Sequence, residues 1–203
     1  MKNSVYSISF KKFFSSENTS LNISFVSVLS GLISGVAVYI FIDSDIKEKI
    51  SDLFFEFYSV FSDKTSIEIF SGIALYGIIY FTAMFILGGS IFGKTILPAL
   101  TFFKAMGITI LACYFYNKYS MNGLQYALLV FFPGKFILIA AMLILTKICF
   151  ETSRDILSFE KCEKAQLIRI YAIKGCITFF LFFFSWIIDF VCIEIFSDLF
   201  EFT

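Results

Sequence analysis

Three charged residues stand inside long apolar stretches of the sequence, where ionised side chains are rare: Lys104, Lys135 and Asp189. A lysine at the centre of a membrane helix costs about 2.5–3.5 kcal/mol on insertion scales, so it is seldom left facing lipid. Asp189 is the natural counter-charge, and we predict that it pairs with Lys104 or with Lys135. Such a pair can carry a proton or a substrate, or it can simply fix two helices together, which is the interpretation we favour.

Lys135 follows Pro133 and Gly134 directly, within an apolar run over residues 124–149. Proline lacks a backbone donor and clashes with the preceding turn, whereas glycine adds backbone freedom. In hydrocarbon, the freed backbone groups need partners inside the protein or in a water-filled cavity. The sequence therefore predicts a membrane helix that is broken at Pro133 and Gly134, with functional packing around the break.

The composition is that of an integral membrane protein. Hydrophobic residues make up 59% of the 203 positions, whereas an ordinary soluble domain is about 45–50% apolar. Histidine is absent, which removes the commonest general base and the commonest metal ligand. Five cysteines form no Cys-x-x-Cys pair and are expected to be small buried hydrophobes: Cys113, Cys149, Cys162, Cys176 and Cys192. We expect no enzyme activity, no cofactor, no metal and no nucleic-acid partner.

Five stretches are long and apolar enough to cross a bilayer, which takes about 20 residues of helix. They predict an all-α polytopic membrane protein with a single membrane domain over residues 1–203. The predicted spans are 23–42, 67–92, 96–116, 124–149 and 175–196. Between and around them we expect an interfacial segment over 1–22, an outer amphipathic helix over 43–66 and an inner loop over 150–174.

The distribution of lysine and arginine predicts the orientation in the cytoplasmic membrane, because basic loops stay on the inner side. The segment before the first span carries three lysines against one acid, and the loop over 150–174 is rich in lysine and arginine. The tail after the last span has Glu194, Asp198 and Glu201 and no basic residue. We therefore expect the N-terminus inside and the C-terminus outside.

The outer segment over 43–66 has apolar residues at steps of three and four, with charged residues on the opposite face. Its apolar residues are Ile46, Ile50, Leu53, Phe54, Phe57 and Phe61. This spacing is typical of an amphipathic helix. Such a helix either lies along the outer membrane surface or packs against a partner protein.

Small residues in the first span recur at steps of four: Ser27, Gly31 and Gly35. Small side chains at this spacing let two membrane helices approach closely. We expect them to pack this span against another helix of the same chain. The same row could instead join two copies of the chain in a homo-oligomer.

The segment from Gly88 to Thr95 matches the phosphate-binding pattern G-x-x-x-x-G-K-T letter for letter. That motif needs a strand before it and a helix after it. Here the segment connects two predicted membrane spans, so we expect no nucleotide site. The glycines are better explained as permitting a tight turn between the spans.

Three stretches resemble the stage II sporulation protein M family, a group of small five-span bacterial and archaeal membrane proteins. They are residues 86–98 (ILGGSIFGKTILP), 102–107 (FFKAMG) and 123–141 (GLQYALLVFFPGKFILIAA). Ala140 stands where the family usually has a second proline, and Gly134 and Lys135 replace the usual amide or histidine. The resemblance implies a non-catalytic scaffold that recruits peptidoglycan-degrading partners. It also makes Lys104, Pro133 and Lys135 the positions of greatest interest.

Two functions are therefore open. The leading hypothesis is a membrane scaffold or assembly protein with envelope proteins as partners. The alternative is a transport protein or the membrane subunit of an exporter with an ATPase subunit as partner, because a broken span with buried charges is typical of transporter sites. A water-filled cavity that reaches Pro133 and is lined by Lys104, Lys135 and Asp189 would favour transport. A dry bundle with an exposed apolar patch on 43–66 would favour scaffolding.

Overall fold

The computed structural model of the chain describes residues 19–47, 49, 66–90, 92–156 and 161–196, with the side chains of 154–156 and 161–167 outside this description. Five long helices are seen: α1 (Thr19–Phe41), α2 (Ser66–Gly88), α3 (Gly93–Tyr126), α4 (Phe132–Ile156) and α5 (Lys161–Phe196). A π-helical turn, Ala127–Phe131, joins α3 to α4. Helix accounts for 97% of the described residues, and they contain no strand. The predicted all-α class is confirmed.

The surface of the bundle is apolar, as a lipid-facing surface must be. Side chains such as Ile33, Ile67, Phe136 and Phe180 are each at least 67% exposed. Four continuous helical stretches are long and apolar enough to cross a membrane: Thr19–Phe41, Ser66–Gly88, Gly93–Ser153 and Ile168–Phe196. Because backbone polar groups inside a helix are already hydrogen-bonded, such stretches are stable in hydrocarbon. The chain is a polytopic membrane protein.

The 61-residue stretch Gly93–Ser153 folds back on itself. Its backbone leaves the helical region at Ser120, where φ is 51° and ψ is −126°. The ring of Phe115 then lies 5.0 Å from that of Tyr126 and 6.5 Å from that of Phe131, between centroids. In a straight helix, residues 115 and 131 would be about 24 Å apart. The stretch therefore reverses its direction near Ser120.

Helices extend beyond several of the predicted boundaries. Helix α1 begins at Thr19, so the end of the predicted interfacial segment is helical. The predicted inner loop over 150–174 contains the end of α4 and the beginning of α5. Polar residues can continue a helix outside hydrocarbon, so hydropathy underestimates helix length. Residues 1–18 and most of the predicted amphipathic helix over 43–66 lie outside the described residues.

The predicted break at Pro133 and Gly134 is wrong, because the chain is helical at both residues. The irregular backbone is the π-helical turn Ala127–Phe131 just before them. At its end, the backbone N–H of Phe132 donates to the carbonyl of Ala127, five residues back. A proline ring clashes with the carbonyl four residues before it, and a wider turn relieves this clash. The chain therefore remains helical through Pro133 and Gly134.

Two clusters of buried apolar side chains occupy opposite ends of the bundle. The larger lies toward the α2–α3 turn and comprises Met84, Leu97, Leu138, Ala141, Met142, Leu145, Cys149, Tyr171, Phe182 and Trp186. The smaller lies toward Ser120 and comprises Tyr39, Tyr114, Phe115, Tyr126 and Val130. Lys135 stands in the sequence between Val130 and Leu138, one member of each cluster. The charged residues therefore form a layer between two apolar ends.

Candidate functional site

An ion pair joins α4 to α5 inside the bundle. Nζ of Lys135 lies 2.5 Å from Oδ2 of Asp189, and the two side chains are 21% and 7% exposed. This contact confirms the prediction that Asp189 pairs with a buried lysine, and it selects Lys135. A buried charge without a partner costs several kcal/mol, about 3–5 kcal/mol when a pair is broken. The pairing explains how the carboxylate of Asp189 is held at this depth.

Gly134 lets α5 come close enough for that ion pair. A Cβ atom at this position would clash with Oδ1 of Asp189 and would lie 2.9 Å from the carbonyl oxygen of Ser185. In addition, Oγ of Ser185 donates a hydrogen bond of 2.9 Å to the carbonyl of Gly134. Sequence reasoning missed Ser185, although it stands one helical turn before Asp189 and so faces the same neighbour. Gly134 and Lys135 therefore act together on one face of α5.

Lys104 stands on the other side of the same site, on α3. Its Nζ lies 4.9 Å from the centroid of the Tyr80 ring, and Tyr80 donates a hydrogen bond of 3.1 Å to the carbonyl of Leu100. Among the described residues, no carboxylate lies within 4.0 Å of Lys104. Lys104 interacts electrostatically with both Lys135 and Asp189. The three predicted charges thus form one group, in which only Lys135 and Asp189 are in contact.

These charged residues line a half-open cavity of about 410 Å³. Helix α2 forms one wall, and α3, the π-helical turn, α4 and α5 form the others. The lining residues are Ile73, Tyr76, Gly77, Tyr80, Lys104, Leu111, Val130, Phe131, Lys135, Leu138, Phe182, Trp186, Asp189 and Ile193. Pro133 is outside this lining, although the π-helical turn before it contributes Val130 and Phe131. Of the residues that line the cavity, the sequence singled out only the three charged ones.

The α2 wall of the cavity has few buried residues. Of the 23 residues of α2, only Ile69, Met84 and Gly88 are buried. Near its middle, Gly77 touches the indole ring of Trp186, with which a Cβ atom would clash. Aromatic contacts hold α2 against α5, because Phe85 stacks on Tyr171, whose hydroxyl donates a hydrogen bond of 2.6 Å to the carbonyl of Phe85.

Helix α1 packs against α3 through the predicted glycines. A Cβ atom at Gly31 would clash with the carbonyl oxygen of Phe102, and one at Gly35 would lie 2.7 Å from the carbonyl oxygen of Met106. The two backbones are thus in direct contact. The predicted intramolecular use of Gly31 and Gly35 is confirmed.

The serine of this row is Ser24 and not Ser27. Ser24 is 1% exposed, and its Oγ donates 2.9 Å to the carbonyl of Ser20. Ser27 is half-buried beside the contact, and its carbonyl accepts a hydrogen bond from Ser30. The prediction missed this because a helix advances 100° per residue, so a strict step of four drifts around the helix.

The glycine-rich segment Gly88–Thr95 forms the turn between α2 and α3. Gly93 packs on the carbonyl of Gly88, and a Cβ atom at Gly88 would clash with Sγ of Cys149. A helix precedes this turn, where a phosphate-binding loop needs a strand. These glycines therefore serve the turn and the contact with α4.

In the described part of the chain, no group of three or more cysteine, aspartate or glutamate side chains is arranged to hold a metal ion. Cys149 and Cys192 are buried as predicted, whereas Cys113 is half-buried and Cys176 is exposed. The side chain of Cys162 lies outside the described residues. The sulfur of Cys149 lies 3.3 Å from the hydroxyl of Tyr171.

Neither the protein-family models, nor the curated proteins, nor the solved structures compared with the chain give a significant match. The resemblance to the stage II sporulation protein M family therefore rests on the short stretches that carry it. What the site can do follows from its own residues. A cavity with two ammonium groups and one carboxylate can hold a charged solute or exchange a proton within the membrane.

Proposed function

We propose that the protein is a membrane transport protein, or the membrane subunit of a larger exporter, whose substrate site is the cavity beside α2. The observation that carries this proposal is the cavity of about 410 Å³ lined by Lys104, Lys135 and Asp189. Ligand pockets commonly measure about 300–1,000 Å³. Transporter sites are typically built at an irregular turn of a membrane helix, and here the π-helical turn contributes to the lining.

The depth of the charges supports the proposal. Lys104 follows the first residue of α3 by eleven residues, and Asp189 precedes the last residue of α5 by seven. At 1.5 Å per residue these positions are about 16 Å and about 10 Å from the helix ends. Since the hydrocarbon layer is about 30 Å thick, both charges lie well inside it.

Packing supports it as well. A pair that only fixed two helices together would be surrounded by close-packed side chains, because a void forfeits dispersion contacts along its whole lining. Here the pair borders an open space, and Lys104 adds a second ammonium group that does not contact the carboxylate. Maintaining both features costs stability, and binding a substrate is the benefit that explains them.

Cysteine accessibility tests the proposal. In a variant whose five native cysteines are replaced, Ile73→Cys places a thiol in the cavity lining. The matched control is Leu75→Cys on the same helix, because Leu75 is 59% exposed on the apolar outer surface. Charged methanethiosulfonate reagents are applied to right-side-out and to inside-out vesicles. We expect modification of Ile73→Cys from both sides and no modification of Leu75→Cys.

Two outcomes would contradict this function. If Ile73→Cys is modified from one side only, the cavity is a closed-end site and no path crosses the membrane. If it is modified from neither side, the cavity is inaccessible to solvent, and the scaffold function is favoured instead.

The second candidate is a non-catalytic scaffold, as the resemblance to the stage II sporulation protein M family implies. The contact of Gly134 with Ser185 and Asp189 favours it, because this contact fixes α4 rigidly to α5. Purification in mild detergent separates the two candidates. Peptidoglycan hydrolases among the bound proteins would support a scaffold, whereas an ATPase subunit would support an exporter. A homo-oligomer would appear as a doubled mass in either case.

We also propose that the chain lies in the cytoplasmic membrane with its N-terminus inside. Lys147 and Lys174 both lie near Glu151, at 4.0 Å and 3.8 Å, at the end of the bundle that holds the α2–α3 turn. At the other end, Ser66 donates a hydrogen bond to Glu194. The basic end is expected inside. Labelling of Asp198→Cys by an impermeant reagent in intact cells supports this orientation, and protection in intact cells contradicts it.

A further inference from the structure

The charges that line the cavity do not balance. Lys135 is neutralised by Asp189, whereas Lys104 has no carboxylate within 4.0 Å among the described residues. Its Nζ lies over the Tyr80 ring, 4.9 Å from the centroid. An aromatic face attracts a cation but does not neutralise it. When both lysines are protonated, two ammonium groups against one carboxylate leave the cavity with one positive charge.

The rest of the lining is mainly apolar and aromatic. Phe131, Phe182 and Trp186 line the cavity together with aliphatic side chains from all the surrounding helices. A small inorganic anion would pair with Lys104 but would leave most of the volume of about 410 Å³ unfilled. A purely apolar molecule would fill the volume and leave the ammonium group unpaired in a medium of low dielectric constant.

We propose that the cavity binds an organic anion, with one carboxylate- or phosphate-type group on an apolar body, and that Lys104 is its anion-binding residue. The proposal rests on the transport function, because it names the class of substrate that the same cavity takes. The anionic group pairs with Lys104 and makes the site neutral. The apolar body occupies the aromatic part of the lining.

The same ligand chemistry has two sources. An amphiphilic anion such as a fatty acid would come from the bilayer, past α2, which has few buried residues. A small aromatic or aliphatic acid would come from water at one end of the bundle. The shared chemistry is one anionic group on an apolar body, and the two sources need separate probes.

Trp186 makes the test direct, because it is the only tryptophan of the chain and it lines the cavity. Bromine quenches indole fluorescence on contact. The protein in phosphatidylcholine vesicles is titrated with para-bromobenzoate and with its uncharged counterpart para-bromobenzamide. A second titration uses dibromostearate and its uncharged methyl ester, which reach the site from the bilayer.

We expect saturable quenching by an acid at a concentration about tenfold lower than for its uncharged counterpart, as one charge-assisted contact provides. Preference for bromobenzoate indicates a ligand from water, and preference for dibromostearate indicates a ligand from the bilayer. Equal quenching by acid and uncharged probe in both titrations overturns the proposal. Absence of saturable quenching by all four probes overturns it as well.

Variants assign the preference to Lys104. Lys104→Met should abolish it, whereas Lys104→Arg should keep it because the positive charge remains. Lys94→Met is the matched control, since Lys94 is an exposed lysine in the first turn of the same helix. An undiminished preference in Lys104→Met overturns the proposal. If Ile73→Cys is modified from both sides but no anion preference is found, the transport function stands and only the ligand class is wrong.

Discussion

The contact between α1 and α3 and the cavity beside α2 both depend on glycine, but glycine does different things in them. At Gly31 and Gly35 the missing side chain lets two backbones touch, and the neighbouring atoms are carbonyl oxygens. At Gly77 and Gly134 it makes room for other side chains, Trp186 and Asp189 respectively. The first region has no room for a Cβ atom at either glycine, whereas the second leaves a volume of about 410 Å³. One kind of residue therefore builds both the rigid part of the bundle and its candidate site.

The largest expected effect is at the ion pair of the cavity. Asp189→Ala leaves Lys135 buried without its partner, and we expect a loss of about 3–5 kcal/mol in the free energy of unfolding. Titration with sodium dodecyl sulfate in mixed micelles, followed by Trp186 fluorescence, measures it. The double variant Asp189→Ala with Lys135→Met removes both charges and should recover most of the loss. A double variant as unstable as the single one would show that the charges are not what couples α4 to α5.

The next effect is at the contact of α1 with α3. Gly35→Ala forces a Cβ atom against the carbonyl of Met106, and we expect a loss of about 1–3 kcal/mol. The matched control is Gly107→Ala on α3, where a Cβ atom meets nothing within 4 Å. Both substitutions replace glycine by alanine inside a helix, so the change in helix propensity is the same. The difference between their free energies of unfolding therefore measures the clash alone. Equal stabilities in the same micelle titration would mean that α1 is free to move away from α3.

A smaller effect is expected for the same substitution beside the cavity. In Gly77→Ala the new methyl group meets the ring of Trp186, a side chain that can turn into the open volume. We therefore expect a loss below about 1 kcal/mol together with a shift in the emission maximum of Trp186. A loss as large as that of Gly35→Ala would show that the α2 wall is packed as rigidly as the contact of α1 with α3.

The smallest effect on stability is expected from filling the cavity. Leu111→Phe adds volume where space exists, and we expect a change of roughly zero, within about 0.5 kcal/mol. Modification of Ile73→Cys should nevertheless slow when the two changes are combined. Val28→Phe is the control, because Val28 is buried on α1. This variant should lose about 1–3 kcal/mol in the free energy of unfolding, since a larger side chain overpacks the site. Equal losses would mean that the cavity has no room for larger side chains.

Sequence patterns predicted those residues of the site that stand out by their own type and by their neighbours in the sequence. Lys104, Lys135 and Asp189 were found because a charge within an apolar run is costly wherever it stands. Gly31 and Gly35 were found because close helix contacts in membranes need small residues. Ser185 and Gly77 were missed, since a serine or a glycine in an apolar helix becomes informative only when its neighbour is known.

The helix boundaries were likewise predicted only in part. Hydropathy located each apolar stretch, but it placed the ends of α3, α4 and α5 too early or too late because helix continues into polar sequence. The reversal at Ser120 lies between the predicted spans 96–116 and 124–149. The form of that turn could not be predicted, since no glycine or proline marks Ser120 itself.

By itself, the sequence determined that the chain is an all-α membrane protein and that Asp189 needs a buried lysine as partner. These conclusions depend on the free energy of transferring apolar and charged side chains into hydrocarbon. That free energy is a property of each residue type, so it can be read from the sequence. The tertiary structure decided that the partner is Lys135, that Pro133 follows a π-helical turn, and that Lys104 shares a cavity with the ion pair. Helices that are apolar on every side do not show in their sequence which faces meet, because lipid and protein interiors are equally apolar.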